Sequence, residues 1–346
     1  MTKTIGSQRD VGGFTFVDLF AGIGGFHLGL SSIGGTCVYA NEWDLAASKT
    51  YEAWTGHKPD QRDIRKINHK SDIPNHDVLA AGFPCQPFSL AGVSKKSSMG
   101  RAHGFQDLDQ GNLFFSICDI VATHRPKVVF LENVKNLTSH DKGKTWAVIQ
   151  SSLEELGYHV LWKVIDAKYW VPQHRERIFI VALSEEYWSV LDAGQFSFPE
   201  PPQSPLPKLK QILDKKPSKD LMLTEPLWRY LQDYSEKHKK LGNGFGYSLA
   251  SQNSVSRTLS ARYFKDGSEI LIMHRGWERP RKLSISEARR LMGFSRQISL
   301  DAGLSGRYPR VVSKSQAYKQ FGNSVSPPVV RSIGAEISRL LADLPN

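Results

Sequence analysis

One cysteine of this 346-residue sequence has a setting typical of a nucleophile. Cys85 lies within residues 82–89, GFPCQPFS, where two prolines disfavour helix and strand alike, so the thiol is expected on a loop. A thiolate is a good nucleophile where positive charge lowers its pKa, and Arg175 and Arg177 are candidates for that charge. The alternative is a structural cysteine, with the two arginines as ordinary charges at the edge of a sheet.

A glycine-rich turn and a carboxylate indicate a nucleoside ligand. Gly22 and Gly24 belong to the turn AGIGG at residues 21–25, and such small residues let the backbone approach a ligand closely. Glu42 follows about 20 residues later, where a carboxylate can accept hydrogen bonds from adjacent ribose hydroxyls. The turn lacks the GxGxxG spacing of a dinucleotide fingerprint, so these residues predict a nucleoside cofactor and leave NAD as one candidate.

Strands alternating with helices must position these residues. The residue pattern predicts strands at 14–20, 36–40, 77–81, 127–131, 159–165 and 177–183, and helices from the glycine turn to about 33 and at 44–54, 111–124 and 142–156. This alternation predicts an α/β fold with a mostly parallel, doubly wound sheet. Ligands bind at the carboxyl ends of the strands in such sheets. The glycine turn, Glu42, Cys85 and Glu132 each follow a predicted strand, so we expect them at one pocket.

The remaining third of the chain differs in composition. Residues 199–207 contain five prolines, which predict a linker or domain boundary. Residues 205–315 carry 22 Lys and Arg against 10 Asp and Glu, whereas the rest of the chain carries 23 against 24. Such a basic segment favours a nucleic-acid partner, although charge alone is equally compatible with a solvated basic face. Helices are predicted at residues 225–240 and from about 328 to 341.

Composition excludes several classes of protein. Hydrophobic residues make up 40% and charged residues 23% of the chain, as in globular proteins. The longest purely apolar run, residues 178–183, is far shorter than the roughly 18 residues of a membrane helix, and the polar start is not a signal peptide. The three cysteines, Cys37, Cys85 and Cys118, form no CxxC pair, which argues against a disulfide framework or structural zinc. We therefore expect a cytoplasmic protein.

Six motifs follow the order and approximate spacing of the DNA cytosine-C5 methyltransferase family, which the sequence resembles from about residue 14 to residue 341. They are DLFAGIGG at 18–25, NEW at 41–43, GFPCQ at 82–86, ENV at 132–134, QHRER at 173–177 and QFGNSV at 320–325. The resemblance implies a Rossmann-like, S-adenosylmethionine-dependent methyltransferase sheet with a smaller, irregular target-recognition domain. It also implies S-adenosyl-L-methionine as the cofactor, in place of NAD, and double-stranded DNA as the substrate.

The resemblance implies a domain organisation as well. Residues 1–195 are expected to form the catalytic and cofactor-binding domain. Residues 196–312 would be the target-recognition domain with its linker, and residues 313–346 a C-terminal segment that packs back on the catalytic domain.

Site residues are also implied by the resemblance. The catalytic residues would be Cys85, Glu132, Arg175 and Arg177. The cofactor-binding residues would be Phe20, Gly22, Gly24, Glu42, Trp43, Asp63, Ile64, Pro84, Leu113, Asn323 and Val325. The DNA-binding residues would be Gln86, Ser89, Lys95, Lys96, Arg101, Arg257 and Arg262. For Arg257 and Arg262, contact with phosphate alone and reading of base edges are equally open.

The implied mechanism explains why these residue types are needed. Cys85 would add to carbon 6 of a cytosine flipped out of the duplex, because carbon 5 alone is a poor nucleophile. Glu132 would protonate or hydrogen-bond ring nitrogen 3. Arg177 would bind the base carbonyl, with Arg175 near the thiol. No metal is expected, because the reaction involves neither phosphoryl transfer nor a bound hydroxide.

Two regions narrow the resemblance to the bacterial Dcm-type branch, which modifies the inner cytosine of CCWGG. They are the basic-segment motifs at residues 242–247 and 256–267, and the loop around residues 90–105. Glycine-rich patches also occur in enzymes that read CCGG or CCNGG, so these sites stay open.

Other classes of function also stay open. A catalytically silent DNA-binding protein is one alternative, and a transfer-RNA cytosine methyltransferase, which would need a smaller or divergent recognition region, is another. The resemblance to this branch implies a bacterial protein that is associated with the nucleoid when it is bound to DNA. It also implies a possible cognate restriction endonuclease that acts separately. We expect a monomer, since each strand of a palindrome is methylated in its own event.

Overall fold

The computed structural model describes residues 13–84, 113–190, 196–243 and 246–342. Cys85, Gln86, Ser89, Lys95, Lys96 and Arg101 lie outside these ranges, as does the long loop predicted around them.

A six-stranded sheet with the order β2-β1-β3-β4-β6-β5 forms the centre of the fold. Its strands are β1 (Thr15–Leu19), β2 (Thr36–Asn41), β3 (Val78–Gly82), β4 (Val128–Val134), β5 (Tyr158–Asp166) and β6 (Glu176–Ser184). The β2, β1, β3 and β4 strands pair in parallel, whereas β6 runs antiparallel to both β4 and β5. The predicted mostly parallel sheet is confirmed, with β6 as the strand that departs from it.

Helices cover both faces of this sheet. They are α1 (Gly25–Ser31), α2 (Leu45–Thr55), α3 (His69–Asp72), α4 (Leu113–His124), α5 (Lys144–Glu155), α6 (Glu185–Val190), α7 (Glu225–Lys240), α8 (Ile285–Leu291), α9 (Arg296–Asp301), α10 (Lys314–Asn323) and α11 (Pro327–Ala342). Because successive strand residues point to opposite faces, Phe16 and Phe130 pack with α1 and α11. Val17 and Leu131 pack with α4 and α5 on the other face. The doubly wound architecture is therefore confirmed.

The basic segment has little regular structure. Its described residues contain the 16-residue helix α7, the short helices α8 and α9, 3₁₀ turns and isolated bridges such as Ile272 to Arg281, but no extended strands. A third apolar core joins this segment to the amino-terminal half, where Trp54 of α2 lies 5.1 Å from Phe294, ring centre to ring centre. The two parts of the chain thus share buried apolar surface.

None of the helices in the described ranges is both long and apolar enough to span a membrane.

Candidate functional site

A cavity of 660 Å³ lies at the carboxyl ends of β1 to β4. Its wall includes Phe20 after β1, Glu42 after β2, Pro84 after β3 and Glu132 near the end of β4. Because these four strands are parallel, the residues that end them meet at one edge of the sheet. The strand-end residues of the sequence analysis are therefore brought together, apart from Cys85, which lies outside the described residues.

All but one of the predicted cofactor residues line this cavity. Those lining it are Phe20, Gly22, Glu42, Trp43, Asp63, Ile64, Pro84, Leu113, Asn323 and Val325. Gly24 instead precedes α1 in the left-handed conformation, with φ of 86°. An added Cβ there would lie 3.3 Å from the Tyr51 ring, so glycine suits both the turn and its packing.

The Glu42 carboxylate is oriented by the main chain. The amide of Gly22 donates to Oε2 at 2.8 Å and the amide of Asp44 donates to Oε1 at 2.7 Å. Burial raises the pKa of Glu42, while these two N–H groups oppose the rise. Each carboxylate oxygen has further acceptor capacity, so Glu42 can still accept hydrogen bonds from ligand hydroxyls.

Flat and apolar surfaces lie near this carboxylate. Trp43 lines the cavity while 65% exposed, which is unusual for a tryptophan and leaves its ring available for stacking. Ile64 contributes a buried aliphatic side chain. Asp63 caps the short turn that begins at Ile64, and its ion pair with Arg65, at 2.5 Å, lowers the pKa of the Asp63 carboxyl.

Gln320 is a cavity residue to which the sequence analysis assigned no role, although it opens the QFGNSV motif. Its Oε1 accepts a hydrogen bond from the Thr50 hydroxyl at 3.0 Å. Its Nε2 is buried without a hydrogen-bond partner among the described residues. The Gln320 amide is therefore packed into the cavity wall against Thr50 of α2.

Glu132 and Arg177 form the charged pair of the site. The predicted strand ended at residue 131, but β4 continues to Val134 because Glu132 pairs with Phe179 of β6. Glu132 Oε1 lies 3.2 Å from Arg177 Nε. Burial raises the pKa of Glu132, and the positive charges of Arg177 and Arg175 oppose the rise.

Asn133 fixes the chain that leads to Cys85. Its Nδ2 donates to the carbonyl of Phe83 at 2.9 Å, and both residues are buried. The segment entering Pro84 is thus held to the residue next to Glu132. The sequence motif ENV included Asn133, but no local signal indicated this partner.

Arg175 contacts main-chain carbonyls. Its guanidinium donates to the carbonyl of Leu259 at 3.2 Å, to that of Gly322 at 3.0 Å and to that of Ser324 at 2.8 Å. Burial lowers the pKa of Arg175 to about 9, which leaves the group charged at neutral pH. It lines the cavity, as Glu132 and Arg177 do, and its donors bind main-chain carbonyls, whereas the thiol of Cys85 near which it is predicted lies outside the described residues.

The two other cysteines differ from the predicted setting of Cys85. Burial raises the pKa of Cys37 to about 12, and Cys118 lies in the apolar core with a pKa well above its usual value. Neither supplies a thiolate near neutral pH. No cluster of His, Cys, Asp and Glu suited to a metal ion occurs within the described ranges.

Of the predicted DNA-binding residues, Arg257 and Arg262 are described, and both are exposed. They flank Leu259, the residue whose carbonyl Arg175 binds. The structure thus places two exposed positive charges on the segment that is hydrogen-bonded to a cavity residue.

Comparison with known proteins gives concordant matches over nearly the whole chain. The model of the family described as C-5 cytosine-specific DNA methylase matches residues 14–339. The chain is 45% identical to a DNA-cytosine methyltransferase of Escherichia coli K12, over 92% of this chain and 76% of that protein. It is 43% identical to the Type II methyltransferase M.SsoII of Shigella sonnei, over 95% of this chain and 81% of that protein.

A solved structure shares the fold. The crystal structure of the S. pombe Dnmt2 methyltransferase matches with a TM-score of 0.68 at 18% identity, over 95% of this chain and 98% of that one.

Proposed function

The chain belongs to the C-5 cytosine-specific DNA methylase family and is a DNA cytosine-C5 methyltransferase, and on that premise we propose that S-adenosyl-L-methionine is its methyl donor. The observation that carries this proposal is the single cavity that unites Glu42 and Trp43 with Glu132 and Arg177. Glu42 and Trp43 suit a nucleoside cofactor, and Glu132 and Arg177 suit a target base. Methyl transfer between the two ligands requires that their binding sites adjoin.

The cavity residues fit the chemistry of this cofactor. Phe20 and Trp43 offer aromatic faces to an adenine ring, with Asp63 and Ile64 at its edge. Glu42 offers carboxylate oxygens to the ribose hydroxyls.

The remaining cavity residues fit the rest of the molecule. Leu113, Asn323 and Val325 complete the wall around Pro84. When bound, the cofactor supplies an electrophilic methyl group.

The target base requires a nucleophile and an acid. Cys85 adds through its thiolate to carbon 6 of the flipped cytosine, which makes carbon 5 nucleophilic. The high pKa values of Cys37 and Cys118 support this choice among the three cysteines. Glu132 protonates or hydrogen-bonds ring nitrogen 3, and Arg177 binds the base carbonyl.

The basic segment, residues 205–315, is the proposed DNA-binding region, and nearly all of it falls in the expected target-recognition domain of residues 196–312. Arg257 and Arg262 contact the DNA, together with Gln86, Ser89 and the basic residues of the loop that follows. The glycine-rich motif at residues 242–247 and the motif at 256–267 support CCWGG as the site, with CCNGG or CCGG as alternatives. The Type II name of the Shigella sonnei relative supports a separate companion restriction endonuclease.

Bisulfite sequencing of plasmid DNA from a methylation-free host that expresses the chain tests this proposal. We expect protection confined to the inner cytosine of CCWGG, and none when Cys85→Ala is expressed to the same level. Protection at another motif would keep the activity and replace the proposed site. Absence of protection by a well-expressed, soluble protein would favour a silent DNA-binding protein or an RNA substrate.

A further inference from the structure

Two segments from different parts of the chain pair beside the cavity. We name residues 172–175 the anchor segment and residues 256–262 the recognition segment. The amide of His174 donates to the carbonyl of Ser256, and the amide of Ser256 donates to the carbonyl of Pro172, both at 2.9 Å. The Thr258 hydroxyl donates to the carbonyl of His174 at 2.6 Å. The recognition segment is therefore attached to the anchor segment by its backbone.

Both polar groups of the Leu259 backbone are bound by anchor-segment side chains. The Leu259 amide donates to Gln173 Oε1 at 2.7 Å, and the Leu259 carbonyl accepts from Arg175. Gln173 is fully buried, and its Nε2 donates to the carbonyl of Leu291 at 3.2 Å. These contacts fix the position of Leu259 between the exposed residues Arg257 and Arg262.

The guanidinium of Arg175 also contacts residues 322–325, which line the cavity and which we name the cofactor wall. Arg175 donates to the carbonyls of Gly322 and Ser324, on either side of the cavity residue Asn323. Gly322 also contacts the recognition segment directly, because an added Cβ would lie 2.4 Å from the carbonyl carbon of Ser260. No side chain separates the recognition segment from the cofactor wall at this point.

We propose that Gln173 and Arg175 are positioning residues that couple DNA recognition to cofactor binding. The inference rests on the proposed function, because it assumes that Arg257 and Arg262 meet DNA and that the cavity holds the cofactor. A guanidinium is a rigid, planar fork whose donors cannot move independently. A shift of Leu259 when DNA binds therefore changes the contacts of Arg175 with Gly322 and Ser324. By reciprocity, a filled cofactor cavity favours the DNA-competent position of Leu259.

Titration calorimetry with S-adenosylhomocysteine tests the coupling. Its Kd is measured for the full chain alone and with a saturating duplex that carries the methylated site found by bisulfite sequencing. We expect the duplex to tighten binding by at least about fivefold in the wild type. A duplex with a scrambled site should tighten it less.

Two variants distinguish coupling between DNA binding and cofactor binding from a contribution to folding stability alone. Arg175→Lys keeps the charge but offers a single donor centre that cannot reach three carbonyls at once. Gln173→Met keeps the volume and removes the acceptor of the Leu259 amide. We expect each to bring the coupling factor to within about twofold of unity at a temperature where the melting curve shows a folded protein. Gln173→Met decides the question if Arg175→Lys does not fold.

A matched control is Arg289→Lys, since Arg289 also donates to a main-chain carbonyl, that of Phe294 at 2.8 Å, and does not line the cavity. It should keep the wild-type coupling. The inference is wrong if the folded anchor variants keep the wild-type coupling, if the control loses it as they do, or if the wild type binds both ligands without coupling. A wild type that binds no S-adenosylhomocysteine would overturn the proposed function, and the inference with it.

Discussion

Burial and the neighbouring arginines shift the pKa of Glu132 in opposite directions. Burial raises its pKa, so a larger fraction is protonated at a given pH than for an exposed glutamate. A proton donor to ring nitrogen 3 needs that protonated form. Glu132→Gln keeps the shape but cannot deliver a proton, and we expect kcat to fall by about 10²- to 10⁴-fold.

The pH dependence of the same residue follows from the direction of its pKa shift. The contribution of Glu132 to the rate is full below its pKa and declines as the pH rises through it, and Glu132→Gln lacks this decline. Single-turnover methylation across a pH series measures both effects. Glu176→Gln is the matched control, because Glu176 is more exposed and pairs with Lys135 at 2.9 Å. Equal losses in the two variants would contradict the role of Glu132.

The side chain of Asn133 donates to the carbonyl of Phe83 and accepts from the amide of Val134 at 2.8 Å. Asn133→Asp replaces the donor with a second acceptor, and we expect it to reduce the free energy of unfolding by about 1–3 kcal/mol. Because the bond to Phe83 fixes the chain that enters Cys85, kcat should fall by a larger factor than the Kd for S-adenosylhomocysteine rises. Denaturant unfolding and calorimetry measure the two. Asn136→Asp, at an exposed position, should change neither, and an unchanged kcat in folded Asn133→Asp would contradict this account.

The first strand, β1, carries a buried carboxyl group, that of Asp18 near its carboxyl end. Asp18 is fully buried, and its Oδ1 has no hydrogen-bond partner among the described residues. Burial raises the pKa of Asp18 well above its usual value of 3.8. The stability it contributes is therefore full below that value and is lost as the pH rises through the folded-state pKa.

Asp18→Asn removes this titration. We expect the free energy of unfolding of the wild type to fall more steeply with rising pH above 3.8 than that of the variant. Urea unfolding at a series of pH values gives both slopes, with the exposed Asp220→Asn as a control that retains the wild-type slope. Parallel slopes for wild type and Asp18→Asn would show that Asp18 does not titrate in this range.

The excess positive charge of the protein lies in the basic segment. Residues 205–315 hold 22 Lys and Arg against 10 Asp and Glu. Binding to DNA releases condensed counterions. The logarithm of the binding constant should therefore fall linearly with the logarithm of the salt concentration, and each neutralised phosphate should contribute about 0.9 to the slope.

Arg257 and Arg262 are exposed and form no salt bridge within the described part of the chain. We expect Arg257→Ala and Arg262→Ala each to reduce the slope by about 0.9 and to weaken binding on all duplexes alike. Fluorescence anisotropy at several salt concentrations measures this. Arg339→Ala, at an exposed arginine on α11, should leave the slope unchanged. A loss confined to the methylated site, at an unchanged slope, would instead assign base reading to these arginines.

Local sequence patterns are sufficient to predict the strands, the main helices and the strand-end residues. These follow from local signals, namely the alternation of apolar residues, the glycine turn and the short motifs that resemble one family. The local pattern could not specify that β6 runs antiparallel, because an internal strand has the same composition in either direction. It also ended β4 too early, since the pairing of Glu132 with Phe179 depends on β6.

The hydrogen-bond partners of the polar site residues depend on how distant parts of the chain fold together. Asn133 and Phe83 are separated by 50 residues, and Arg175 and Ser324 by 149, so no spacing rule connects them. Arg175 donates to the backbone of two distant segments, which its place in the QHRER motif does not indicate. The contact of Gln320 Oε1 with the Thr50 hydroxyl likewise depends on the packing of α10 against α2. A sequence specifies which groups can donate or accept, but burial and chain folding decide which of them meet.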